Sequence, residues 1–200
     1  MQVTCFGAAG CVTGSCFLID NGKKYLVDCG LFQGGKRMEE MNRLPWGFDP
    51  QEISALFLTH AHIDHSGRIP KLARDGFRGK IYTTLPSAEL CKILLFDSAH
   101  IQESEAEWQS RKNRRRGKPA VEPLYNAANV ETCLPLFEAV ATNQVIEVDS
   151  GFKIRFRNAG HILGSAILEC WNESSARSSK LVFSGDLGQK DQLIVHDPHS

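Results

Sequence analysis

The 200-residue sequence carries no net charge, because 23 Lys and Arg are matched by 23 Asp and Glu. That excludes a surface coated with positive charge for nucleic acid, although it leaves room for a local basic patch. Long apolar runs are also missing. Stretches such as Ala55-Leu56-Phe57-Leu58 fall far short of the roughly 18 residues a membrane span needs, so no membrane association is expected. The first positive charge is Lys23, so the start lacks the basic head of a secretory leader. There is no C-x-x-C pair to make a zinc ribbon, no G-x-x-x-x-G-K-S/T phosphate loop and no G-x-S-x-G nucleophile elbow. Seven cysteines are an odd number in a chain too large to need a disulfide frame. They read as reduced thiols of a cytoplasmic protein. What is present is ordinary globular material, 42% hydrophobic and 23% charged, enough for about one domain.

The pattern along the chain predicts strands at Gln2 to Phe6, Ser15 to Ile19 and Lys23 to Val27. The last two are joined by the hairpin signal Asn21-Gly22. Ile53 to Leu58 is nearly continuous in apolar residues, as in a strand buried on both faces. A helix is expected from Asp64 onward, with Asp or Ser as its cap. Pro86 opens a long helix with Leu90, Leu94, Ile101 and Trp108 at helical spacing, and a second helix is expected over Thr132 to Val140. Further strands are expected at Ile81 to Thr83, Gln144 to Val148, Phe152 to Phe156, Ser165 to Cys170 and Leu181 to Phe183. Together these predict mixed α/β layers, with helices packed on a sheet.

The chemistry concentrates in Thr59-His60-Ala61-His62-Ile63-Asp64-His65-Ser66-Gly67, directly after an apolar strand. His60 and His62 are two apart, so both point the same way as the strand ends. Asp64 and His65 follow at the turn into a helix and point in different directions, which suits a second metal beside the first. Imidazole suits zinc, and a carboxylate helps to hold a hydroxide-bridged pair. Two later residues can complete the set: His161 in a glycine-flanked turn between strands, and Asp186 in Phe183-Ser184-Gly185-Asp186-Leu187-Gly188. Asp28, at the end of another strand, is placed to orient a ligating histidine.

With these residues the sequence resembles the metallo-β-lactamase fold superfamily, through H-x-H-x-D-H and a distant His and Asp. More narrowly it resembles the β-CASP RNA-processing nucleases, through Gly7–Ser15 (GAAGCVTGS), Asp28-Cys29-Gly30, Asp97–Glu105 (DSAHIQESE), Ala159–Ser165 (AGHILGS) and Phe183–Gly188 (FSGDLG). The resemblance implies an α/β fold of metallo-β-lactamase-like αββα type, present as its N-terminal half. It implies His60, His62 and His161 on a first zinc, Asp64 and His65 on a second, and Asp186 bridging them. Asp28 matches the structural aspartate of the first motif, and Asp64 and Asp28 together are the side chains expected to serve catalysis. The implied reaction is RNA phosphodiester hydrolysis by a hydroxide held between two zinc ions.

In that family the fold continues past the FSGDLG aspartate into a cap domain and then a second half, which supply further histidines. Residues 1–200 are therefore expected to be the N-terminal part of a metallo-β-lactamase domain, with the cap and C-terminal half absent. His196 and His199 lie too close to Asp186 to replace the missing groups. The first metal site is expected to be complete, so one zinc is expected in the chain where a whole site takes two. Activity alone is expected to be weak, and self-association is expected through the exposed sheet. The run Arg111 to Pro119 (RKNRRRGKP), with Arg111, Arg114, Arg115 and Arg116, is either an RNA phosphate contact or a solvated helix end favoured by the helix dipole. Two other functions compete. One is a metallo-β-lactamase-fold hydrolase of a thioester, lactam or lactone; the other is a metal-stabilised module that binds RNA without cutting it.

Overall fold

The computed structural model describes residues 1–173 and 178–199. The chain opens with an antiparallel meander of β1 (Gln2–Cys5), β2 (Phe17–Asp20) and β3 (Lys24–Val27), its second turn at Asn21-Gly22. A short helix α1 (Lys36–Met41) leads to β4 (Ile53–Phe57), which lies parallel to β3. Two short helices, α2 (Ile63–Ser66) and α3 (Ile69–Arg74), carry the chain to β5 (Lys80–Thr84). The 30-residue helix α4 (Leu85–Arg114) and α5 (Ala127–Cys133) precede β6 (Phe137–Val140). Parallel pairing of β4, β5 and β6 completes a mixed six-stranded sheet in the order β1-β2-β3-β4-β5-β6. Then β7 (Val145–Asp149), β8 (Phe152–Asn158), β9 (Ala166–Asn172) and β10 (Ser179–Phe183) form an antiparallel sheet in the order β10-β9-β8-β7.

Alternation along the strands makes two cores. On one face of the first sheet, Leu26, Leu56 and Ile81 pack under Leu72 of α3, Cys91, Leu95 and Ala99 of α4, and Val130 of α5. The opposite face sends Ile19, Tyr25, Val27, Ala55 and Phe57 against Phe152, Ile154, Phe156, Leu168 and Cys170 of the second sheet. Tyr25 stacks on Phe152 with ring centroids 4.4 Å apart and planes 5° from parallel. Strand β4 serves both cores, which accounts for its unbroken apolar run. The layers are thus helices, sheet, sheet. On the outer face of the second sheet, Arg155 and Lys180 pair with Glu169 at 2.6 Å each, beside Trp171. Among the described residues, no helix is long and apolar enough to cross a membrane.

Three sequence expectations need correction. The helix over Thr132 to Val140 ends at Cys133. Leu134–Leu136 make one tight turn around Pro135, which cannot continue the helical hydrogen bonds, and the rest is strand β6. Helix α2 is not capped by an Asp or Ser side chain: its cap is His62, with no side-chain bond, and Asp64 sits in the first turn. The fully buried stripe of α4 is Ser87, Ala88, Cys91, Leu95, Ala99 and Ala106, mostly small residues, and Leu90 and Leu94 pack half-buried against the same core as expected. Ile101 and Trp108 are 49% and 57% exposed, because the second half of α4 has outrun the core.

Candidate metal centre

Four loops that leave strand ends converge on one spot. The first follows β4. Leu58 donates its N–H to Tyr82 at 2.9 Å, and Thr83 Oγ1 donates to the Leu58 carbonyl at 2.9 Å, so the strand stays pinned right up to Thr59. His60 is fully buried and His62 half-buried at the mouth. The second loop, 159–165, joins β8 to β9. Its shape is set by Ser165 Oγ, which accepts the His161 and Ile162 N–H groups at 3.0 and 3.2 Å, and by Gly160 and Gly164 at φ 64° and 82°. Thr84 and Ser87 at the start of α4 anchor it by donating to the Gly164 carbonyl at 2.6 and 3.0 Å. The third loop follows β10 and carries Asp186. Gly188 N donates to Ala159 O at 2.9 Å, which ties it to the second.

The result is one group of potential metal ligands among the described residues: His60, His62, His161 and Asp186, with donor atoms within 4.8 Å of one another. His62 Nδ1 lies 3.1 Å from His60 Nε2 and 3.2 Å from His161 Nε2. Ligands about 2.0–2.1 Å from a tetrahedral zinc lie roughly 3.3 Å apart, so the spacing of these nitrogens fits that ion. Asp186 Oδ2 is 3.5 Å from His161 Nε2 and 3.9 Å from His60 Nε2, and its side chain is 44% exposed on the open side. Burial first, then repulsion from His65, His62 and His161, pushes the His60 pKa down to about 2, and burial with His161 lowers that of His62. Both rings are thereby kept neutral, the form that binds a metal.

The fourth loop follows β3 and holds Asp28, buried at φ 58°. Its Oδ1 accepts from Thr59 N at 2.8 Å, and its Oδ2 accepts from Ser15 Oγ at 3.0 Å. Oδ2 also meets His65 Nδ1 at 2.8 Å, which turns His65 Nε2 toward Asp186 Oδ1 at 3.2 Å. Burial would lower the His65 pKa, but the Asp28 carboxylate outweighs it and the net shift is upward. His65 thus joins the group through Asp186. Asp64 is not one of the four grouped ligands; its charge adds to the upward shift at His65 and opposes, without reversing, the downward shift at His62.

Thr59, Ser15 and Ser165 do positioning work that the sequence reading did not assign. Their signal is faint: Thr59 stands next to a candidate ligand and Ser165 four residues after one, while Ser15 has no such spacing and meets Asp28 from 13 residues away. Arg111, Arg114, Arg115 and Arg116 are exposed at the far end of α4. From Ser87, which touches the His161 loop, to Arg114 is about 40 Å at 1.5 Å per residue.

The family described as the metallo-beta-lactamase superfamily matches residues 9–122. Ribonuclease TTHA0252 of Thermus thermophilus is 36% identical over 199 residues, 99% of this chain and 40% of the relative. A transcription termination factor, FttA, of Cenarchaeum symbiosum is 30% identical over 94% of this chain and 27% of the relative. The cleavage and polyadenylation specificity factor subunit 3-II of Arabidopsis thaliana is 29% identical over 93% and 29%. These relatives bear out the resemblance to β-CASP RNA-processing nucleases, and the chain spans less than half the length of each. A solved B3 metallo-beta-lactamase with an active-site glutamic acid shares the fold, with a TM-score of 0.51 at 21% identity over 92% of this chain and 62% of that one.

Proposed function

The chain belongs to the metallo-beta-lactamase superfamily, and from that premise we propose that it carries the metal centre of a phosphodiesterase that cleaves RNA. The observation that supports this most is the pair of 3.1 and 3.2 Å separations among three imidazole nitrogens, with Asp186 beside them. His60, His62 and His161 would hold a first zinc. His65 Nε2, Asp64 and a shared Asp186 would hold a second in a complete site. A bound zinc would supply a strongly acidified water and a Lewis acid for phosphoryl oxygens. The chain's own groups do the positioning. Asp28 fixes the His65 ring, Thr59 ties Asp28 to the His60 strand, and the exposed side of Asp186 leaves the approach open to substrate. RNA as the substrate follows the names of the relatives, a ribonuclease and a polyadenylation factor subunit. Arg111, Arg114, Arg115 and Arg116 are proposed as remote phosphate contacts, and copies of the chain are expected to associate through the β10 edge, where Val182 is 56% exposed.

The test is metal per chain by mass spectrometry, with RNA cleavage, on wild type and His62→Ala. We expect about one zinc per wild-type chain and weak cleavage, both lost in the variant. A folded wild-type protein that binds no metal, or one that turns over a thioester or lactam and leaves RNA intact, overturns the reading. A monomer at high concentration in analytical ultracentrifugation excludes the self-association.

A further inference from the structure

Trp108 is the one large aromatic ring that α4 holds out to solvent near its end, 57% exposed. It lines a recess of about 540 Å³ with Arg43, Gln102, Glu105, Gln109 and Val121. That volume lies within the range of small-molecule sites, about 300–1,000 Å³. The walls hold two carboxamides, a carboxylate and a guanidinium. Gln102 and Gln109 donate from Nε2 to Ser98 and Asn113, and Arg43 donates from Nη2 to the Glu122 carbonyl. That leaves the two carboxamide oxygens, the carboxylate and the other guanidinium N–H groups for the hydrogen-bonding edge of a base. Around the recess the chemistry changes to phosphate binding. Trp108 shares a helix face with Arg111 and Lys112, three and four residues on, and Arg115 follows as the cap of the helix. Lys112 Nζ sits 5.0 Å over the indole. The basic stretch is held in a fixed turn. Lys118 N donates to Asn113 O at 3.0 Å, Asn113 Nδ2 to Pro119 O at 2.9 Å, and Val121 N to Ser110 Oγ at 2.8 Å.

We propose that the Trp108 recess takes a single nucleobase of a single-stranded RNA, stacked on the indole, while the basic side chains of residues 111–118 hold the adjoining phosphates. The proposal rests on RNA as the substrate. It adds a docking point distant from the metal centre: Trp108 is 21 residues along α4 from Ser87, about 32 Å. Charge decides the occupant. Arg111, Lys112, Arg114, Arg115, Arg116 and Lys118 face a polyanion, and the exposed ring favours unstacked bases over a bare acidic chain.

The experiment is binding of a labelled 20-nucleotide single-stranded RNA by fluorescence anisotropy, with the RNA confirmed intact afterwards. An abasic chain of the same length and a polyglutamate peptide serve as comparisons. Trp108→Ala is expected to weaken RNA binding about tenfold and leave the abasic chain unaffected, with Trp108→Phe restoring most of the loss. Replacing Arg111 and Arg115 by Ala is expected to weaken both chains and flatten the salt dependence by about 1.4 in log–log slope. RNA binding unchanged in all three variants, with wild type still binding or cleaving RNA, overturns this site and leaves the functional reading standing. Tighter binding of polyglutamate than of RNA overturns it as well. A wild type that neither binds nor cleaves RNA overturns the functional reading, and this site with it.

Discussion

Asp28 occupies the left-handed region at φ 58°, uncommon for residues with a Cβ although Asp and Asn enter it more readily than most, and it does so in contact with His65, which ligates metal in the proposed reading. The strain is sustained because both carboxylate oxygens are filled, by Thr59 N, Ser15 Oγ and His65 Nδ1. Asp28→Asn keeps the volume but turns an amide N–H toward one of these donors. The expected result is a protein that still folds and binds zinc about 10–100-fold more weakly, read by competition with a chelating dye. Asp28→Ala leaves the buried donors unpaired, and a loss of roughly 2–4 kcal/mol of stability is expected in denaturant melts. Unchanged zinc affinity in the Asn variant would show that His65 is oriented without Asp28. At this scale the convergence of His60, His62, His161 and Asp186 was legible in the sequence, since H-x-H on a strand end has a direct geometric meaning, whereas Asp64 stands outside that group. Thr59 and Ser165 were much less legible, because a hydroxyl's partner is fixed by tertiary approach and not by spacing.

Elements matter here through how closely their loops approach. A Cβ on Gly30 would lie 1.6 Å from the Asp64 carbonyl oxygen, and one on Gly188 would lie 1.6 Å from the Gly160 carbonyl oxygen. Both contacts are with backbone that cannot rotate away, and each joins two of the loops that build the centre. Gly30→Ala and Gly188→Ala are therefore expected to destabilise by about 1–3 kcal/mol or more and to reduce bound metal, whereas Gly35→Ala, with open space around it, should stay within about 0.5 kcal/mol. Equal melting temperatures for all three would refute the close-approach argument. Strands were the readable part of the fold. The Asn21-Gly22 hairpin and the doubly buried β4 follow from turn chemistry and composition. The helical reading of Thr132 to Val140 failed because Phe137–Val140 is drawn into strand by parallel pairing with β5, a partner more than 50 residues away. The α4 stripe was legible in its first half, where Leu90 and Leu94 pack on the core, and failed at Ile101 and Trp108, where the helix runs past it.

For the molecule as a whole, the candidate metal group draws on both sheets: His60 and His62 follow β4 of the first, His161 lies in the loop between β8 and β9 of the second, and Asp186 follows β10. An ion held by all four would therefore clamp the two layers, and a chelator should lower the melting temperature of the native protein by an amount that grows with free zinc displaced. The chelated protein also has a predictable pH response. His60 is pushed down to about 2 and His62 is lowered, so between the ordinary imidazole pKa of about 6.5 and those values the unfolded chain binds protons that the folded chain refuses. Stability from these two rings is present above pH 6.5 and is lost as pH falls below it. His65 has the opposite sign, since its folded pKa is raised. Its contribution is complete below the unfolded value and fades only as pH rises through the folded one, so it adds no compensating gain on the acid side. Thermal melts in excess chelator should thus fall from about pH 6.5 to pH 5, before most carboxylates titrate. His60→Gln, which cannot charge, should flatten that slope even if it melts lower throughout. A slope identical in wild type and His60→Gln would place the acid sensitivity outside the histidine group and remove the electrostatic case for neutral rings awaiting a metal.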